Sequence, residues 1–114
     1  MTYTSILAEH AAALRYDALP ESVVKAAKRA TLDLIGVIFP AVQYAPAKIM
    51  NEYVRRQACA PSATVIGTGI RTSTTNAALA NGTMAAEMEQ DDVHPQAGTH
   101  PGSVYVPAML AVAE

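Results

Sequence analysis

Five side chains that can carry charge or move protons fall within twelve residues: Glu89, Asp91, Asp92, His94 and His100. An imidazole beside carboxylates is equipped for general acid–base work near neutral pH, with the carboxylate fixing the ring's tautomer. His100 stands between Thr99 and Pro101. A residue before proline is confined to extended backbone, and that stiffness suits a catalytic group. The same residues allow plainer readings. Asp91 and Asp92 could form a solvated helix C-terminus, although the helix dipole disfavours acids there. His94 and His100 could be ordinary loop histidines. A sharper alternative makes Asp91, Asp92, His94 and His100 the ligands of a metal-dependent hydrolase. Their D-D-x-H-x5-H spacing matches no ligand pattern with a mechanism behind it, so no metal is assigned.

The elements that must position this cluster are helices. Thr4–Leu14 reads as a short helix with Ile6, Leu7, Ala11 and Leu14 on one face, followed by a turn at Tyr16–Leu19. The clearest helix runs from Pro20 to Phe39. Val23, Ala27, Ala30, Leu34 and Val37 recur at helical spacing, Lys25, Lys28 and Arg29 lie opposite, and Pro40 ends it. A third helix starts near Pro46 and runs to Gln57, with Ile49, Met50, Tyr53 and Val54 facing inward. SATVIGTGIRTS reads as one short extended segment and a turn at the surface. Ser73 or Thr74 can cap a fourth helix over Thr75 to Met88. Residues Glu89 to Gly102 are loop-like, and Ser103 could cap a fifth helix, with Pro107 near its fourth position. The expected fold is therefore mainly all-α, a bundle of about five helices with one short extended segment.

Composition sets the outer limits. The chain has 114 residues and is 51% hydrophobic but only 5% aromatic, so alanine supplies much of the core and favours close helix packing over a sheet. A net charge of −2 gives no sign of a nucleic-acid or anionic-membrane surface. The longest apolar run, LIGVIFPAV, is too short to span a bilayer and is broken by Pro40. The N-terminus is a poor signal peptide. The single cysteine, Cys59, excludes an internal disulfide, fits a reducing cytoplasm and reads as a small buried hydrophobe. No Lys or Arg follows Arg71, so the cluster itself has no cation to hold an anionic substrate. The chain also stops inside an apolar run, VYVPAMLAVAE, without a Gly or Asn cap. A fragment, or one subunit of something larger, is the expectation.

The stretch AALANGTMAAEMEQDDVHPQAGTHPGSVYVPAMLAVAE resembles the N-terminal signature of the 2-methylcitrate dehydratase and cis-aconitate decarboxylase family, MmgE/PrpD. The shared features are an Ala-Asn-Gly in a helix, an acidic x-D-D-x-H segment, then His-Pro-Gly before an apolar helix ending Ala-Glu. Upstream, LRYDALPESVVKAAKRATLDLIGV is similar to the family's opening. The resemblance implies the first part of a mainly helical domain that, in whole members, is joined by a smaller lid domain and dimerises. It implies lyase chemistry without a cofactor on small di- or tricarboxylates: dehydration, decarboxylation or, in some members, epimerisation. It makes His100 the active-site histidine and gives Glu89 an acidic active-site position. Asp91 assists catalysis, and Asp92 and His94 contact substrate or orient the loop. Val93 stands where the decarboxylase branch carries a hydroxyl residue, which weakens a decarboxylase assignment; a dehydratase of 2-methylcitrate or citrate type is the expected activity. The family's lysines and lid histidine have no counterpart here, so this chain alone should be inactive and a partner or remaining chain should complete the cavity. A helical assembly subunit that kept the fold and lost catalysis is the alternative from another class.

Overall fold

In the computed structural model, which describes residues 2–114, the mostly small residues of TTNAALANGTMAA form the helix around which the others gather. This helix, Thr74–Ala86, is α4; the others are α1 (Tyr3–Ala13), α2 (Glu21–Ala41), α3 (Ala45–Arg56) and α5 (Pro101–Ala113). A single 3-10 turn, Tyr16–Ala18, links α1 to α2. The all-α expectation holds for most of the chain. Among the described residues no single helix is long and apolar enough to cross a membrane, and α2 meets α3 at a bend of 92°.

Small side chains let α4 approach its neighbours closely, which is how alanine builds a core with few large residues. Ala77, Ala80, Asn81, Met84 and Ala85 are buried along it. Leu34 and Ile38 of α2, Val54 of α3, and Val106 and Ala111 of α5 close around them. Ser73 caps α4 by accepting a hydrogen bond from the Asn76 N–H, as its position before the helix predicts.

Between α3 and α4 the chain forms two strands, β1 (Ala63–Val65) and β2 (Ile70–Thr72), rather than one extended segment. They pair antiparallel, with Ala63 opposite Thr72 and Val65 opposite Ile70. Nor is this hairpin only a surface feature: Ala63, Val65 and Thr72 are buried. Its anchor is Asn81, whose side-chain oxygen accepts from the Ile66 N–H while its amide donates to the Thr64 carbonyl, both at 2.9 Å. One buried amide thus satisfies a donor and an acceptor of an otherwise short hairpin. That is a physical reason for the Asn of Ala-Asn-Gly. The next residue, Gly82, faces α5: a Cβ there would lie 3.2 Å from the Ser103 carbonyl oxygen. Pro107 sits four residues on in the interior of α5, not near its start, so it offers that carbonyl no helical N–H. The absent donor in α5 and the absent side chain in α4 meet at one close helix crossing.

Several further expectations are corrected. Pro40 does not end α2, which continues to Ala41. Its missing N–H affects only the carbonyl of Gly36, and both residues are exposed, where water can replace the bond. In α3 the buried face is Ala47, Asn51 and Val54, with Met50 half-buried, whereas Ile49 and Tyr53 point outward. Helical spacing defined a stripe, but α4 and the hairpin cover the adjacent one. Finally, no residue of α1 is buried, and Val23 in the first half of α2 is exposed. Cys59 is exposed as well, and its sulfur accepts a hydrogen bond from the Asn76 amide.

Candidate active site

The loop between α4 and α5 turns two consecutive carboxylates to two different tasks. The Asp91 side chain is almost wholly buried, at 1% exposed, and its Oδ1 lies 3.0 Å from His100 Nδ1. Asp92 Oδ1 accepts the Gly102 N–H at 2.7 Å. The pairs 91–100 and 92–102 thus grip the chain on either side of Pro101.

His100 is the N-cap residue of α5, which begins two residues before the expected cap, Ser103. Pro101 makes a good first helical residue because its fixed φ suits the helix and no N–H is needed there. His100 does not cap the helix with its own side chain. Asp92 does this from ten residues upstream, placing a carboxylate at the positive end of the α5 dipole. Gly102 suits that contact, since a Cβ at this position would collide with Asp92 Oδ1 and push the carboxylate off the N–H. The glycine of His-Pro-Gly therefore makes room for a carboxylate.

The Asp91 contact selects the tautomer of the neutral imidazole. An ionised carboxylate only accepts, so Nδ1 carries the proton and neutral His100 presents a bare Nε2. Nε2 has no hydrogen-bond partner among the described residues, and the side chain is 38% exposed. Burial pushes the Asp91 carboxyl up, but the Ser103 hydroxyl beside it, the His100 ring and its own backbone outweigh it. The carboxyl ends below its ordinary value of 3.8. Ser103 has one hydroxyl proton for two neighbouring acceptors. At 3.1 Å it is aimed at the His100 carbonyl, and Asp91 Oδ2 is left buried without a partner.

The remaining predicted residues stand outside this network. His94 shapes the loop: its N–H donates to the Thr99 carbonyl at 2.9 Å, and its Nδ1 accepts from the Ala97 N–H. Glu89 is exposed and follows α4 with φ +51°, in the left-handed region that costs a non-glycine residue about 1 kcal/mol. Its carboxyl makes no hydrogen bond among the described residues, so it is open to solvent and to a ligand. The four metal ligands of the hydrolase alternative do not converge. Asp91 faces His100, Asp92 faces Gly102 and His94 faces its own loop, and no three His, Cys, Asp or Glu side chains among the described residues form a metal-binding group.

Two contributors escaped the residue pattern. Ser103, expected to cap a helix, bonds back to His100, and Gly102, expected in the loop, lies in the first turn of α5. The spacing of Asp92 and Gly102 around a fixed Pro101 was the available signal. Among the described residues no lysine or arginine joins the site. Arg71, the last basic residue in the chain, is engaged elsewhere by Glu114, Thr64 and the carbonyls of Pro61 and Ser62.

A helical domain presenting a carboxylate-held histidine at a loop before a His-Pro-Gly helix is the class this geometry defines. Comparison with known proteins gives it a family. Residues 5–114 match the MmgE/PrpD N-terminal domain, and the chain belongs to that family. It is 35% identical over 101 residues to the cis-aconitate decarboxylase-like protein oryM of Aspergillus oryzae (strain ATCC 42149 / RIB 40), an alignment covering 84% of this chain and 20% of that protein. The chain thus spans about a fifth of that relative's length. No solved structure matches it.

Proposed function

We propose that this chain supplies the histidine half of a lyase active site for small di- or tricarboxylates, with His100 as the base. The carrying observation is the 3.0 Å contact between Asp91 and His100 Nδ1, with Nε2 unpartnered among the described residues on a half-exposed side chain. In the neutral ring that contact puts the proton on Nδ1 and leaves Nε2 free as a base. In a dehydration, Nε2 takes the proton from the carbon next to a substrate carboxylate. The released electron pair passes into that carboxylate as an enediolate, then forms the C=C bond as the C–O bond to the neighbouring hydroxyl breaks, and a proton delivered to that oxygen completes water. Glu89, with an unpartnered carboxyl two residues from Asp91, is the proposed donor. Asp91 steadies the imidazolium formed in the first step.

The enediolate that precedes C–O cleavage needs cationic or hydrogen-bond support. The site has no Lys or Arg, so those groups come from chain or partner beyond these 114 residues. Dehydration of a 2-methylcitrate or citrate type of substrate is the preferred reading. The relative's description as cis-aconitate decarboxylase-like supports a second, in which the bond to a carboxylate breaks with release of CO2 and the vacated carbon is protonated.

The test is turnover of 2-methylcitrate, citrate and cis-aconitate by the assembled enzyme, following alkene formation and CO2 separately. His100→Ala is expected to lower kcat/KM about 10²–10⁴-fold, the usual contribution of one acid–base group. Unchanged kcat/KM would remove His100 from the chemistry. An assembled complex inactive on all three substrates would favour the assembly-subunit alternative.

A further inference from the structure

We propose that Asp92 and Gly102 are positioning residues for His100, a reading that rests on His100 being the base. Asp92 Oδ1 holds the second residue of α5 at 2.7 Å, and a Cβ there would displace that carboxylate from its present position. His100 precedes that point by two residues, with the rigid Pro101 between them. Holding the Gly102 N–H therefore fixes where α5 begins and how the His100 Cα–Cβ bond is aimed. His100 has φ −108° and ψ 83°, neither helical nor fully extended, and its side chain makes no cap of its own. Nothing in the α5 ladder would hold the first-turn N–H of Gly102 in the absence of Asp92, because the first N–H groups of a helix have no partner within it. The adjacent Asp91 then meets Nδ1 only if His100 arrives in this orientation. Asp92 is exposed, as a substrate ligand would be, yet the oxygen it offers is already taken by the backbone. One exposed acid thus sets the register for one buried acid.

The test separates this role from substrate binding and from the lyase reading itself. Imidazole ¹⁵N NMR on the 114-residue chain reads the His100 tautomer without any turnover. The unaltered chain is expected to show protonated Nδ1 and bare Nε2. Asp92→Asn, which keeps an oxygen for the Gly102 N–H, should preserve that state. Asp92→Ala and Gly102→Ala should both move His100 toward a mixture of tautomers. If Asp92→Ala and Gly102→Ala leave the tautomer unchanged, the proposal is overturned. Should Gly102→Ala fail to fold, Asp92→Ser, too short to reach, replaces it as the second reading. In the assembled enzyme, Asp92→Ala should lower kcat by up to about 100-fold, the scale of a small misplacement of a reacting group, with KM nearly constant. A raised KM with kcat intact would make Asp92 a substrate ligand instead. Absence of all turnover would sink the lyase reading while leaving the NMR result to stand or fall alone.

Discussion

α4 and the first half of α2 are both alanine-rich helices, yet they end in opposite surroundings. α2 carries the clearer apolar stripe, but Val23 is 47% exposed and Ala27 is exposed too. α4 has scarcely any stripe, but Ala77, Ala80, Met84 and Ala85 have no exposure. Periodicity marks a face that asks for cover. Burial additionally requires a neighbour, and the neighbours α3, α5 and the hairpin all gather on α4. The candidate site follows the same division, since α4 and α5 supply both ends of its loop.

The largest expected effects on folding are core truncations, the first of them at the centre of α4. Met84→Ala should cost about 2–5 kcal/mol, the range for truncating a large buried side chain. Urea denaturation measures it, and a loss under about 1 kcal/mol would mean that α4 is not the organising helix. Asn81→Ala comes next. It strands the Ile66 N–H and the Thr64 carbonyl together, for about 2–4 kcal/mol at the cost typical of each unpaired group. Hydrogen exchange at the Ile66 amide should speed up in that variant, while the α5 amides remain protected.

A smaller effect tests the site's electrostatics. The folded pKa of Asp91 is depressed, so its ionised form is favoured by folding. That contribution is fully present above the unfolded value, near 3.8, and fades as pH falls through the lower folded value. Asp91→Asn should therefore lower stability at neutral pH by about 1–3 kcal/mol, the scale of losing a hydrogen bond to a charged group. The gap from the unaltered chain should narrow below pH 3.8. Thermal melts between neutral and acid pH measure it, and a constant gap would show that Asp91 is not held as the anion.

These effects also mark what the residue pattern could reveal. His100, Asp91, Asp92 and the helices were legible because charged types, proline and apolar spacing are local signals. The hairpin was only half legible: Ile70–Thr72 is short, and its pairing depends on Asn81, which lies in another element. The start of α5 was placed at Ser103, since the actual cap comes from Asp92, ten residues away. The outward turn of Ile49 and Tyr53 was likewise set by where α4 lies, which helical spacing within α3 does not encode. Asp91 and Asp92 do not form the solvated helix C-terminus that their position allows: one is buried and the other caps a helix.

The smallest expected effect is the one that most sharpens the contrast between the two helices. Val23 and Leu34 lie on the same apolar stripe of α2, but Leu34 is 2% exposed and Val23 47%. Leu34→Ala should cost about 2–5 kcal/mol, while Val23→Ala should change stability by no more than about 0.5 kcal/mol, because little area leaves water at an exposed site. Tyr16, Leu19, Val24 and Leu32 join Val23 in lining an open apolar groove of about 450 Å³. Measuring both variants at two protein concentrations makes the comparison decisive. A Val23→Ala loss above about 1.5 kcal/mol that grows with concentration would mean a second molecule covers this face in solution, as mass action requires. A loss of that size independent of concentration would mean α1 folds back over the stripe, and the division between the two halves would no longer hold.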